Sequence, residues 1–262
     1  PRAADTDVVA LHVDHGLQEG SARLADHCRR MGRSLAIPVR TTQAHIPSDR
    51  STQTAARTAR YAALAGLARN LGLDRVWTAH HADDAVETAL LQWTQGSDAG
   101  GLSRLAPNAT DAQGAPVAGW GALDLQRPLS HLSGEWLRRH ARDSEVEYRD
   151  DPSNASDAYR RNRLRRGSAD QLRREAGSVH PLLQTLRNLA DDDRYLQKEA
   201  TRLDRQARRT SPSRESLVWD VAPLRDAPKS LVTRLLRRAS KQLPVDVRWS
   251  ADTLDTVFDH LA

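Results

Sequence analysis

The chain alternates short apolar runs with longer amphipathic ones. Residues 8–13, VVALHV, are almost unbroken hydrophobic, which predicts a buried parallel strand. Helical spacing follows across 21–33, with Leu24, Cys28 and Met31 on one side. LAIPVR at 35–40 predicts a second strand, edged by Pro38. Residues 53–69 are alanine-rich with Tyr61, Leu64 and Leu67 on one face, which predicts a helix. LDRVWTAH at 73–80 predicts a third strand, and ADDAVETALLQW at 82–93 a helix with its carboxylates in the first turns. Residues 94–121 are rich in turn formers and predict loop with short strands at most. This strand–helix alternation predicts an α/β fold built on a parallel sheet.

From about residue 131 the pattern changes. Arginine-rich helical spacing dominates, including 187–207 and the stretch after Pro228, and SLVWDV at 216–221 carries the main strand signal. The expected division is therefore an α/β region, 1–130, followed by a smaller mainly helical region, 131–262. The acidic trio Asp191–Asp193 is expected on a solvated face. Trp77 and Trp93 are expected in the core.

Open α/β sheets bind ligands beyond the carboxyl ends of their strands. HVDHG ends the first strand and AHHADD the third, so His12, Asp14, His15, His80, His81, Asp83 and Asp84 are predicted at one edge. Asp84, Glu87 and Thr88 share a helix face. Such carboxylates could hold Mg²⁺ beside nucleotide phosphates. Helix capping by Asp83 or Asp84 is an alternative, and histidine-ligated zinc a third.

Charge sharpens the picture. The net charge is +5 with a pI near 9.9, which suits a polyanionic partner. Seven arginines fall between Tyr159 and Glu175: Arg160, Arg161, Arg163, Arg165, Arg166, Arg173 and Arg174. Guanidinium forks pair with phosphates and stack on bases, although a solvated basic helix face is the other explanation. The one cysteine, Cys28, excludes an internal disulfide and suits a reducing cytoplasm. No apolar run is long enough to span a bilayer.

HVDHGL, AARTARYAAL, TAHHADDAVETALL, GSDAGGL, RPL, DDPSN and RNRLR follow in this order. Together they resemble the tRNA(Ile)-lysidine synthases, a branch of the N-type ATP pyrophosphatases, over roughly residues 8–200. The first motifs alone would indicate only an ATP pyrophosphatase; DDPSN with RNRLR separates this branch from its thiolating relatives. The resemblance implies a sheet of the adenine-nucleotide α-hydrolase-like, Rossmann-like type. It also implies an ATP-dependent ligase, cytoplasmic and often dimeric. ATP would adenylate the wobble cytidine of tRNA(Ile) with a CAU anticodon, and free L-lysine would then displace AMP.

Residue roles follow from the same resemblance. Asp84 would be the catalytic or metal carboxylate, with Glu87 as a second metal ligand and Mg²⁺ as the ion. His12, Asp14, His15, Arg57, His80 and Asp83 would line the nucleotide pocket. Arg161 and Arg165 would act near the phosphates, and Arg160, Asn162, Arg163 and Arg166 on the tRNA.

The chain also departs from the family. The Ser-Gly-Gly-x-Asp-Ser phosphate loop belongs well upstream of HVDHGL, further than the seven residues before Val8 allow. Gln53 replaces a usual Glu, Gln95, Gly96, Ser97 and Asp98 stand where Arg-Gly-Ser-Gly is usual, Gly134 replaces Arg, Arg166 replaces His, and Asp170 stands near a usual Pro. The expectation is a piece of an active enzyme, cut at both ends. The alternatives are a non-catalytic RNA-binding relative and a thiolating ATP pyrophosphatase. Against the thiolating enzyme, no Cys-x-x-Cys pair accompanies Cys28.

Overall fold

The computed structural model describes residues 8–14, 21–44, 53–103, 105–106, 123–148, 160–211, 213, 216–243 and 249–261. In chain order its first elements are β1 (Ala10–Asp14), α1 (Ser21–Ser34), β2 (Val39–Gln43), α2 (Gln53–Asn70), β3 (Arg75–Trp77), α3 (Ala82–Trp93), α4 (Ala99–Ser103), β4 (Asp124–Gln126) and α5 (Gly134–Asp143). Then come α6 (Arg160–Leu164), a π-helical turn (Arg165–Ala169), α7 (Asp170–Glu175), α8 (His180–Ala207), β5 (Arg208–Arg209), β6 (Val218–Trp219), α9 (Val221–Arg225), α10 (Lys229–Ser240) and α11 (Ala251–Leu261). They divide into two compact units, Pro1–Leu91 with Pro107–Leu183, and Gln92–Ala106 with Gln184–Ala262. The change in composition near residue 130 falls inside the first unit.

In the first unit β1 runs parallel to β2, with Ala10 opposite Val39 and Asp14 opposite Gln43. β3 runs parallel to β4, with Val76 opposite Leu125. The α2 face predicted from Tyr61 and Leu64 forms the core: Tyr61, Ala65 and Ala68 pack with Val76 and Leu125, rimmed by Leu11, Leu64, Leu73 and Leu123. Ala65 and Ala68 are fully buried, and their small size lets strands approach the helix closely.

The second unit has its own core. Leu203 and Ala207 of α8, Leu224 of α9, Val232, Leu235 and Leu236 of α10 and Leu254 of α11 cluster together, with Trp219 and Phe258 packed alongside. The antiparallel pair β5–β6 lies within this unit. Asp193, expected to be solvated, instead accepts from Arg234 Nη2 at 2.9 Å and Nε at 3.0 Å, and both side chains are mostly buried.

The predicted second strand starts late. α1 closes through Leu35 N–H to Met31 O and Ile37 N–H to Gly32 O, with Ala36 left-handed at φ 55°. Pro38 has no N–H for a ladder, so pairing begins at Val39. β3 is shorter than 73–80 because the chain leaves the ladder after Thr78 N–H reaches Gln126 O, to open α3. The stretch read as loop contains α4, capped by Asp98 Oδ1 accepting from Gly101 N–H at 2.9 Å. Trp77 and Trp93 are 54% and 70% exposed, not core; in β3 only Val76 points inward.

Gly32 marks a close approach of α1 to β2. A Cβ there would stand 2.2 Å from Val39 Cγ2 and 2.7 Å from the Ile37 carbonyl oxygen. Glycine within a helix ordinarily costs about 0.5–1 kcal/mol relative to alanine. The clash with a fixed carbonyl reverses the sign. Gly32→Ala is expected to destabilise by about 1–3 kcal/mol, measured as a lower urea midpoint.

Candidate functional site

The amino end of α3 is fastened by its own carboxylates. His81 occupies the cap position, and its backbone N–H donates to Asp84 Oδ2 at 3.0 Å, the reach-back half of a capping box. Ala82 N–H donates to Leu132 O at 2.9 Å. Asp83 turns the other way. Its Oδ2 accepts the Gly134 N–H at 2.6 Å, and its Oδ1 accepts a short bond from Arg173. Asp83 thus joins α3 to the start of α5 and to α7. Gly134 suits this seam, because a Cβ would stand 3.1 Å from both Asp83 Oδ2 and His81 Cε1.

One turn further on, Glu87 is 1% exposed. A buried carboxylate is costly unless it is paired. Arg165 supplies a bidentate fork, Nε to Oε1 at 2.6 Å and Nη2 to Oε2 at 3.0 Å. Arg161 adds Nε to Glu87 Oε2 at 3.1 Å and Nη2 to Asp84 Oδ1 at 2.8 Å. Three guanidiniums, Arg161, Arg165 and Arg173, therefore face three carboxylates, Asp83, Asp84 and Glu87.

The electrostatics follow from the geometry. Burial opposes ionisation of Asp83, but His81, the Gly134 N–H and Arg173 outweigh it and hold the carboxyl well below its usual range. His81 has Nδ1 at 3.3 Å from Asp83 and Nε2 at 3.5 Å from Asp84. The adjacent Asp83 raises its pKa; burial opposes this, and the charges of Asp84 and Glu87 add to it. Glu87 raises Arg165 against the effect of burial.

The structure brings together six residues that the sequence nominated: His81, Asp83, Asp84, Glu87, Arg161 and Arg165. It gives them another arrangement than expected. Magnesium does not fit at Glu87, because both carboxylate oxygens are taken by guanidiniums and the side chain is 2% exposed. Both oxygens of Asp84 also accept N–H groups. Among the described residues no group of three or more His, Cys, Asp or Glu side chains is disposed to hold a metal ion. The first-turn aspartates cap and brace the helix, as the capping alternative has it.

The other nominated residues are distributed. Asp14 ends β1, and its carbonyl accepts from Ala44 N–H at 2.8 Å. His12 Nδ1 lies 3.5 Å from Cys28 Sγ. Burial lowers the His12 pKa, Asp14 opposing and Arg29 adding to the shift. His80 Nδ1 lies 2.9 Å from Thr78 Oγ1. Arg57 is on α2. His15 and DDPSN lie outside the described residues. Arg160, Arg163 and Arg166 are exposed, whereas Asn162, expected on the tRNA, is 7% exposed and turned inward.

The sequence placed His81 at the ligand edge and Arg173 in the basic run without giving either a role, and Gly134 was not expected at the site. Arg173 had a signal. Arg161, Arg165, Ala169 and Arg173 recur every four residues, and Ala169 is buried. Twelve residues of pure α-helix would overshoot three turns by about 120°. The wider π-helical turn at 165–169 rotates less per residue and takes back much of that offset. Arg173 thereby reaches the α3 side.

The family model for the PP-loop domain matches residues 2–172. A tRNA(Ile)-lysidine synthase from Polaromonas naphthalenivorans (strain CJ2) is 36% identical over 161 residues, 60% of this chain and 46% of that protein. One from Bacillus licheniformis is 31% identical over 201 residues, 74% of this chain and 40% of that protein. One from Chromobacterium violaceum is 33% identical over 211 residues, 80% of this chain and 46% of that protein. The chain thus spans less than half the length of these relatives. Among solved structures, a U34-tRNA thiolase, NcsA, from Methanococcus maripaludis with its 4Fe-4S cluster superposes with a TM-score of 0.57 at 13% identity. That match covers 72% of this chain and 64% of the thiolase, and it supports the fold alone.

Removing Asp83 takes the acceptor from the Gly134 N–H and leaves Arg173 only the longer contact with Asp170, at 3.4 Å. Asp83→Ala is expected to cost about 3 kcal/mol in urea unfolding. Glu135→Ala, which breaks an exposed pair with Arg139, should cost under about 1 kcal/mol.

Proposed function

The chain belongs to the PP-loop domain family, and from that premise we propose that it is the ATP-using and tRNA-binding part of a tRNA(Ile)-lysidine synthase. The substrates are ATP, free L-lysine and tRNA(Ile) with a CAU anticodon. In the first step the C2 oxygen of the wobble cytidine attacks the α-phosphate of ATP, and pyrophosphate leaves. In the second, the amino group of lysine attacks C2, AMP leaves, and the nitrogen gives up a proton.

The observation that carries this reading is a meeting of two motifs. DDAVE of α3 and RNRLR, which runs from α6 into the π-helical turn, lie more than 70 residues apart in sequence, yet they interlock through Asp84, Glu87, Arg161 and Arg165. The pairing joins the family's nucleotide half to its arginine half. Relatives named as lysidine synthases match this chain across both halves.

Each residue class has a task. Arg161, held between Asp84 and Glu87 yet 27% exposed, is the cation that balances charge on the reacting phosphate. His12, Asp14 and His80 line the nucleotide side, and α2, the helix that carries Arg57, abuts it. Exposed Arg160, Arg163 and Arg166 contact the RNA backbone, while the target base is splayed out of its loop for attack. The parallel pairs β1–β2 and β3–β4 support this reading, since His12 and Asp14 lie on β1 and His80 follows β3.

Two measurements test the reading on the full-length protein. Pyrophosphate exchange into ATP should depend on the CAU-anticodon tRNA, and adding lysine should leave a lysine-sized mass increase on one cytidine. Exchange without mass increase, or neither, contradicts it. Asp84→Ala should lower exchange by about 100-fold or more, since it frees Arg161 from its position. Arg163→Ala should weaken tRNA binding and reduce the slope of log affinity against log salt by about one.

A further inference from the structure

Glu87 is the most deeply buried charged group in the site, and the expected metal role does not fit it. Its surroundings supply another. Both oxygens grip arginines of the next motif, Arg165 in two places and Arg161 in one. Those arginines lie four apart, on the inner side of the α6–π–α7 segment. On the outer side Arg160, Arg163 and Arg166 recur every three residues and are all exposed. The seven arginines therefore divide by direction: three inward against carboxylates, three outward in a row, and Arg174 outward against Asp170 at 2.7 Å.

We infer that Glu87 is a positioning residue for RNA recognition: its buried carboxylate fixes the roll of the arginine helix, so that Arg160, Arg163 and Arg166 face outward as one row. The inference rests on the tRNA reading above. A phosphate backbone needs cations at set positions, and a helix free to roll on its axis would spread them. Asp83 and Asp84 also hold this segment, but Glu87 is the acceptor that Arg165 meets with two bonds, which define a plane and not only a distance. The π-helical turn begins at Arg165 itself, so the fork and the change of pitch share one residue.

The fork makes a demand that charge alone does not. Lysine in place of Arg165 keeps the charge and loses the plane. If Arg165 served only as a positive group, lysine would serve as well.

The test uses full-length protein, a tRNA(Ile) transcript with the CAU anticodon, and filter binding across a salt series. Glu87→Gln and Arg165→Lys should each weaken tRNA binding by about five- to tenfold, the loss of about one phosphate contact, and lower the salt slope by about one. The double variant should lose no more than either single one, since both remove the same constraint. The half-saturating Mg²⁺ for ATP binding should stay as in the parent protein. An effect confined to thermal stability would leave the salt slope untouched and would overturn the inference. So would full tRNA affinity in Arg165→Lys, or a rise in the Mg²⁺ requirement of Glu87→Gln, which would return Glu87 to the metal. Should Glu87→Gln not fold, Arg165→Lys alone decides. Parent protein that fails to bind the tRNA would defeat the functional reading instead, a result distinct from all of these.

Discussion

A carboxylate almost wholly removed from water constrains everything around it. Left alone, the Glu87 charge would cost several kcal/mol to bury. It is tolerable because two guanidiniums close over it, one of them bidentate. The polar contacts at the amino end of α3 follow. Arg161 is drawn onto Asp84, Asp84 turns back to cap α3, and Asp83 reaches across to Gly134 and Arg173. Three segments distant in sequence are fixed by one network in which carboxylates and guanidiniums match in number. Such a network gains little over an apolar core, but losing any one member strands a charge. It defines an arrangement more than it adds stability.

Much of the framework was legible in the sequence because period and length were clear. The alanine-rich pattern of 53–69 became α2 with Tyr61 at the core, and 82–93 became α3 to the residue. Strand limits were less legible. Pro38 and the left-handed Ala36 displaced β2, and neither the late ladder nor the need for Gly32 shows in hydropathy. Trp77 and Trp93 misled because a large apolar residue says nothing about which face of a strand or helix it occupies. The π-helical turn had no sequence signal. Without it Arg173 would be placed on the wrong side.

The cluster was legible in most of its members and illegible in its pairing. Asp83, Asp84, Glu87, Arg161 and Arg165 were all nominated, from two separate motifs. A sequence shows acids near a strand end and arginines elsewhere, so a cation for the acids and an anion for the arginines look natural. The fold lets the two groups satisfy each other. Membership of the PP-loop family and the parallel strand pairs agree with the sequence expectation. The inward turn of Asn162 and the clamped state of Glu87 do not.

Guanidinium, not metal, neutralises Glu87. Crystals grown with manganese and measured at its absorption edge would test it directly. Arg165 should lie within hydrogen-bonding distance of both Glu87 oxygens, with no anomalous peak beside them. A manganese peak bonded to Glu87, with Arg165 displaced, would contradict it.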